Sequence, residues 1–103
     1  MPPRLPIHIT LFTRTRCALC TTAHSNLARA WQLRPFEFSQ IDVMGPGQER
    51  WKAVYEFSVP VVHVARTVGE GDGVREEWRV LRRGFAAEEV VDVWEELVEE
   101  GRV

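Results

Sequence analysis

Cysteine is scarce in this chain. Its 103 residues contain two, Cys17 and Cys20, and both stand in a single C-x-x-C. So small and local a set excludes a secreted scaffold stapled by several disulfides. A reducing compartment fits better, most simply the cytosol, with the mitochondrial matrix as the other option. Long apolar runs are also lacking. None approaches the roughly 20 residues that cross a bilayer, so no membrane is expected as a partner. The start, MPPRLPIHI, has neither the apolar core of a secretory signal nor the Arg/Ser-rich amphipathic character of a transit peptide. Charge is close to balanced at a formal −2, which leaves no concentrated basic surface for nucleic acid. There is no internal repeat, no low-complexity segment and no second C-x-x-C.

What remains is an ordinary globular composition, 45% hydrophobic and 27% charged. The length suits one domain over residues 1–103. Residues 5–12 alternate Ile7, Ile9 and Leu11 against His8, Thr10 and Phe12, a strand pattern. From Cys17 to about Trp31, Leu19, Ala23, Leu27, Ala30 and Trp31 recur at helical spacing. Pro35 marks the exit, and residues 36–43 alternate again as a second strand. Gly45-Pro46-Gly47 is a turn, followed by a short helix from Gln48 to about Tyr55 with Trp51 and Val54 facing inward. Val59 to Val64 is β-branched and apolar, as a buried strand should be.

Gly69, Gly71 and Gly73 around Asp72 read as a loop tip, and Glu77 to Leu81 as the returning strand, so 61–82 forms a hairpin. Gly84 breaks it. Ala86 to Glu99 is amphipathic, with Val90, Trp94, Leu97 and Val98 on one face and seven acidic residues from Glu88 to Glu100 on the other. The tryptophans Trp31, Trp51, Trp78 and Trp94 read as core or half-buried packing. The order is β-α-β-α-β-β-α. Its first half is a βαβ unit with parallel strands, and its second half an antiparallel hairpin with a closing helix. A mixed four-stranded sheet so small needs helices on both faces.

The spacing of the cysteines carries chemistry. Cys17 follows the first strand at the mouth of the first helix, and Cys20 lies one turn on, on the same side. The unsatisfied N–H groups and the dipole of the first turn favour negative charge at Cys17, and Arg14 and Arg16 add positive charge nearby. Such surroundings favour the nucleophilic thiolate. The more interior Cys20 stays a thiol until it attacks a mixed disulfide on Cys17.

A C-x-x-C beside a βαβ pattern points to thioredoxin-like redox chemistry. Here the chain resembles the glutaredoxin-like proteins of the thioredoxin fold. The resemblance lies in Leu11-Phe12-Thr13-Arg14-Thr15-Arg16-Cys17-Ala18-Leu19-Cys20, in Gln40-Ile41-Asp42-Val43, and in Tyr55-Glu56-Phe57-Ser58-Val59-Pro60-Val61-Val62. It implies an α/β thioredoxin fold and a thiol–disulfide oxidoreductase, with Cys17 attacking and Cys20 resolving. It further implies that Arg14 meets a glutathione carboxylate and that Pro60 is cis, turning the Val59 backbone toward substrate. The implied partners are a disulfide-containing protein or a glutathione mixed disulfide, with glutathione or a thioredoxin system as reductant. No tightly bound cofactor is implied, glutathione being a co-substrate.

The chain departs from the family at two places. Ala18-Leu19 replaces the usual Pro-Tyr between the cysteines. Arg83-Gly84-Phe85-Ala86 replaces Gly-Gly-Cys-Asp before the last helix, keeping Gly84 as a binding position but losing the aspartate that holds glutathione's amino group. The loop 66–75 is longer than a minimal hairpin. These changes touch glutathione binding, not fold or redox type.

Other readings stand beside this one. The cysteines are also compatible with an incidental pair in a catalytically weak binding module. Cys17, Cys20, His24 and a remote His63 would make a Cys₂His₂ zinc set, and the pair could share an iron–sulfur cluster between two chains. His24 alone reads as a surface helix residue, and His8 and His63 as packed or edge histidines.

Overall fold

In a computed structural model, which describes residues 7–68, 75–82 and 85–100, the first strand, β1 (Ile7–Thr13), lies inside the sheet with both faces covered. It pairs in parallel with β2 (Glu37–Asp42) and antiparallel with β3 (Val61–Val68), which pairs antiparallel with β4 (Arg75–Arg82). The strand order is β2-β1-β3-β4, a mixed four-stranded sheet. With the helices α1 (Ala18–Leu33), α2 (Glu49–Tyr55) and α3 (Ala87–Glu100), the order is β-α-β-α-β-β-α. This is the thioredoxin fold that the resemblance implies.

The alternation of β1 divides the core in two. Ile7, Ile9 and Leu11 face α1 and α3, where they meet Ala23, Leu27 and Ala30 of α1, Val62 and Val64 of β3, and Val90 and Leu97 of α3. Phe12 points the other way and packs with Val43, Tyr55 and Val61, against Trp51 of α2. Helices therefore cover both faces, two on one and a short one on the other. Polar stitches fix α3 in place. The Trp94 indole N–H donates to the Pro35 carbonyl at 3.3 Å, Arg34 meets Glu95 at 2.9 Å, and the Asn26 amide donates to the Phe85 carbonyl at 3.0 Å.

Element ends differ from the sequence reading for local reasons. β3 begins at Val61 rather than Val59, since Pro60 has no N–H to give a ladder. α1 runs to Leu33 before Arg34, held extended at φ −144° ahead of Pro35, stops it. The strands of the hairpin reach Val68 and Arg75, so residues 66–68 and Arg75 belong to the ladder, not to a loop. The glycines 69, 71 and 73, like Gly84, lie outside the described residues.

The inward sets also need correction. On α2 the buried face is Trp51 and Tyr55, whose rings stack with an interplanar angle of 2°; Val54, expected inside, is 61% exposed. On α1 the buried stripe is Cys20, Ala23, Leu27 and Ala30, leaving Leu19 and Trp31 about half exposed at its flanks. The Trp31 indole N–H donates to the Phe36 carbonyl at 3.1 Å, so the ring lies along the surface with its polar edge satisfied. Trp78 on β4 is also half exposed, resting on His63.

Leu27 is fully enclosed between sheet and helices, so Leu27→Ala is expected to cost about 2–5 kcal/mol of unfolding free energy. Val54→Ala should stay within about 0.5 kcal/mol. Urea denaturation of both variants checks the contrast, and equal losses would contradict the assignment of faces.

Candidate functional site

Cys17 is the N-cap of α1. It has extended backbone (φ −120°, ψ 103°), and its sulfur accepts the Cys20 N–H at 3.1 Å. A sulfur thus takes the place usually held by a Ser or Asp oxygen, satisfying one of the first-turn N–H groups that lack a helical acceptor. No acidic residue stands in that first turn to compete for the positive end of the dipole. Cys17 and Cys20 are joined as a disulfide with Cα atoms 5.2 Å apart. Cys17 is partly exposed and Cys20 is buried, at 4% exposure. The outer sulfur is thus open to attack and to substrate, and the inner one is shielded.

The approach to Cys17 is a tight turn. Arg16 has a left-handed backbone, φ 58°, which a non-glycine residue adopts at a cost of about 1–2 kcal/mol. This turn swings the chain from the end of β1 into the helix. The Arg14 guanidinium, which the resemblance assigns to a glutathione carboxylate, donates one N–H to the Glu56 carbonyl at 3.0 Å. It ties the cysteine loop to the end of α2, three residues before Val59.

The Val59-Pro60 bond is cis, as the resemblance implies. Pro60 shares a cavity of 190 Å³ with Leu19 and Ala23 of α1 and with Phe85 and Ala86 before α3. The structure therefore brings Pro60, Leu19 between the two cysteines and the start of α3 to one cleft. Phe57, 85% exposed, adds apolar surface just upstream of Val59. At the start of α3 the Ala86 N–H donates to Glu89, 3.4 Å away, and Glu88 pairs with Arg29 at 3.7 Å. Gly84, assigned to the binding site by the resemblance, lies outside the described residues.

On the other side of the cysteines is a larger, polar cavity of 400 Å³. Arg14, Arg16, Cys17, Cys20, His24 and Asp42 are among its walls. An apolar groove of 330 Å³ runs on from His24 between α1 and β2, past Trp31 and Phe38. His24 is an exposed residue of α1, in keeping with a surface helix position, and the wall that β2 adds beside it cannot be read from its spacing of four from Cys20.

The four-ligand metal set is not assembled. His63 projects to the α2 face, where its ring packs against Phe12, Trp51 and Trp78 and the Tyr55 hydroxyl lies 2.8 Å from its Nε2. Cys20 belongs to the α1 side of the sheet. Among the described residues no group of three or more His, Cys, Asp and Glu comes together as a metal site. No helix among them is long and apolar enough to cross a membrane.

Comparison with known proteins agrees with this geometry. A family model, Glutaredoxin-like domain (DUF836), matches residues 8–88. No curated protein matches the chain. Thioredoxin-2 of the malaria parasite, described as a component of its protein secretion machinery, superposes with a TM-score of 0.65 at 8% identity, covering 92% of this chain and 86% of that one. Thioredoxin 1 of Thermosipho africanus TCF52B gives 0.60 at 18% identity, covering 93% and 99%. A thioredoxin from Thermus thermophilus gives 0.62 at 15% identity, covering 92% and 75%. Identities this low speak for the fold alone.

The buried side of His63 makes a pH prediction. Burial first, and the Arg82 charge second, lower its pKa below the ordinary 6.5. A depressed histidine binds its proton more readily in the unfolded chain, so stability is intact above about 6.5 and falls as pH drops below it. Chemical denaturation between pH 8 and 5 (about that window) should show this decline, and His63→Asn should flatten it. A decline of equal slope in both proteins would remove His63 from the cause.

Proposed function

The chain belongs to the glutaredoxin-like domain family, and from that premise we propose that it is a thiol–disulfide oxidoreductase working through the Cys17–Cys20 dithiol. The observation that carries the reading is the place of Cys17 as a helix N-cap whose sulfur accepts a backbone N–H. That arrangement favours thiolate over thiol at the outer cysteine. Cys17 attacks a substrate disulfide and forms a mixed disulfide, releasing one substrate thiolate. Cys20, one turn away on the same helix, then attacks the Cys17 sulfur and releases the second. Pro60 forms a cleft with Leu19 and Phe85 that suits an extended, partly apolar protein segment better than a small, highly charged thiol, and the Val59 backbone just before it is our candidate for pairing with that segment.

Glutathione is in our reading a weak co-substrate. Ala86 offers no acceptor for an ammonium, and the Ala86 N–H is engaged by Glu89. The protein partner is therefore a disulfide-bearing protein, with glutathione or a thioredoxin system restoring the dithiol in a reducing compartment such as the cytosol.

Two measurements test this. Cys17→Ser is expected to abolish disulfide exchange, whereas Cys20→Ser should leave a mixed disulfide trapped on Cys17, detectable by mass spectrometry. Adducts found on Cys20 instead would reverse the roles. For glutathione, calorimetric titration into the Cys20→Ser protein should show weak binding. Adding Ala86→Asp should tighten it by about one to two decades, the worth of a hydrogen bond to a charged group at roughly 1.5–3 kcal/mol. Equal affinities would show that the missing carboxylate is not what limits glutathione.

A further inference from the structure

We propose that His24 accepts the proton that Cys20 must lose in the resolving step, through the polar cavity beside the cysteines; this rests on the dithiol reading above. Cys20 lies in the buried stripe of α1 at 4% exposure. A thiol in such surroundings holds its proton, yet only the thiolate attacks a disulfide. The proton needs a way out. Of the three cavities described, only the 400 Å³ one reaches Cys20, and His24 is in its wall.

The charged and titratable groups around that cavity narrow the choice. Arg14 and Arg16 come from the β1–α1 loop, and a guanidinium offers donors but no acceptor site. Cys17 is the electrophile in this step, its sulfur bonded to substrate. Asp42 comes from β2, and its Oδ1 accepts the Met44 N–H at 2.9 Å within its own turn. His24 comes from α1 itself. It follows Cys20 by four residues, a spacing that places Cβ atoms about 5–6 Å apart on one helix face. Its ring packs edge-on to Phe38 of β2, centroids 6.0 Å apart at 81°, which keeps the imidazole at the junction of cavity and groove. The residue is exposed, so a proton received from the cavity passes on to solvent. Imidazole is the side chain type that ordinarily exchanges protons between pH 5 and 8 (approximately).

The step balances as follows. Cys20 gives its sulfur-bound proton, by way of cavity water, to the His24 ring. The Cys20 thiolate attacks the Cys17 sulfur, the Cys17–substrate bond breaks, and the substrate sulfur leaves with the electron pair and later takes a proton. The protein dithiol is oxidised by two electrons and the substrate disulfide is reduced.

A stopped-flow reaction of the fully reduced protein with dithiobis(nitrobenzoate) reads the two half-steps apart, since each releases one coloured thiolate. In His24→Gln the first release, from attack by Cys17, should keep its rate. The second should slow by roughly a hundredfold near neutral pH, the low end of what a positioned acid–base group contributes. It should then climb with pH where the wild-type rate is flat. An unchanged second release overturns the proposal. So does a slowed one that keeps the wild-type pH profile, because that marks a packing role for His24. A wild-type protein that releases one equivalent and stops refutes the dithiol reading itself, and is distinct from both.

Discussion

A helix begins with backbone N–H groups that no carbonyl of its own can accept, and this chain meets part of that need at α1 with a sulfur atom. The Cys20 N–H to Cys17 contact does two jobs at once. It closes the first turn, and it puts the reactive atom where positive potential is greatest. The rest of the architecture holds that contact in place. β1 is gripped on both faces and both edges, so Thr13 is a fixed point from which the loop departs. The left-handed Arg16 makes the turn short enough to deliver Cys17 as the cap. Arg14 anchors the same loop to the end of α2, and so to the segment that carries Val59 and Pro60.

The two long helices use their beginnings in opposite ways. α1 has no acid in its first turn and leaves its N-terminal field to the cysteine. α3 has Glu88 and Glu89 there, and Glu89 occupies the Ala86 N–H. A negatively charged ligand arriving at α3 meets carboxylates already in residence. The N-terminal field of α1 is thus left to Cys17, while that of α3 is already met by its own carboxylates.

The sequence made the element order readable because β1 and α3 have strong periods and β3 is a continuous β-branched apolar run. The cysteine pair at the helix mouth was readable for the same reason. What it did not reveal was phase. Seven residues are too few to fix which side of α2 turns inward, so Val54 and Tyr55 were interchangeable until Phe12 supplied a surface for Trp51 and Tyr55. Along α1, Leu19 and Trp31 share helical spacing with the core residues but lie on its flanks, and only the position of the sheet decides between flank and centre. Arg14 has a partner that no local pattern encodes, the Glu56 carbonyl 42 residues away in sequence. His24 belongs with these, since its cavity has a wall from another strand.

The register of the sheet has one more result. Phe12 lies opposite Val61 and Ile7 opposite Arg66, so the β3–β4 connection leaves from the end of the sheet away from Cys17. Along β1 that separation is roughly 20 Å, from the six steps of about 3.3 Å between its seven residues. The molecule has two poles. One is committed to sulfur chemistry, where a shift of one residue would unseat the cap. The other is the end where Val68 pairs with Arg75, and none of the described residues around the cysteines lies there.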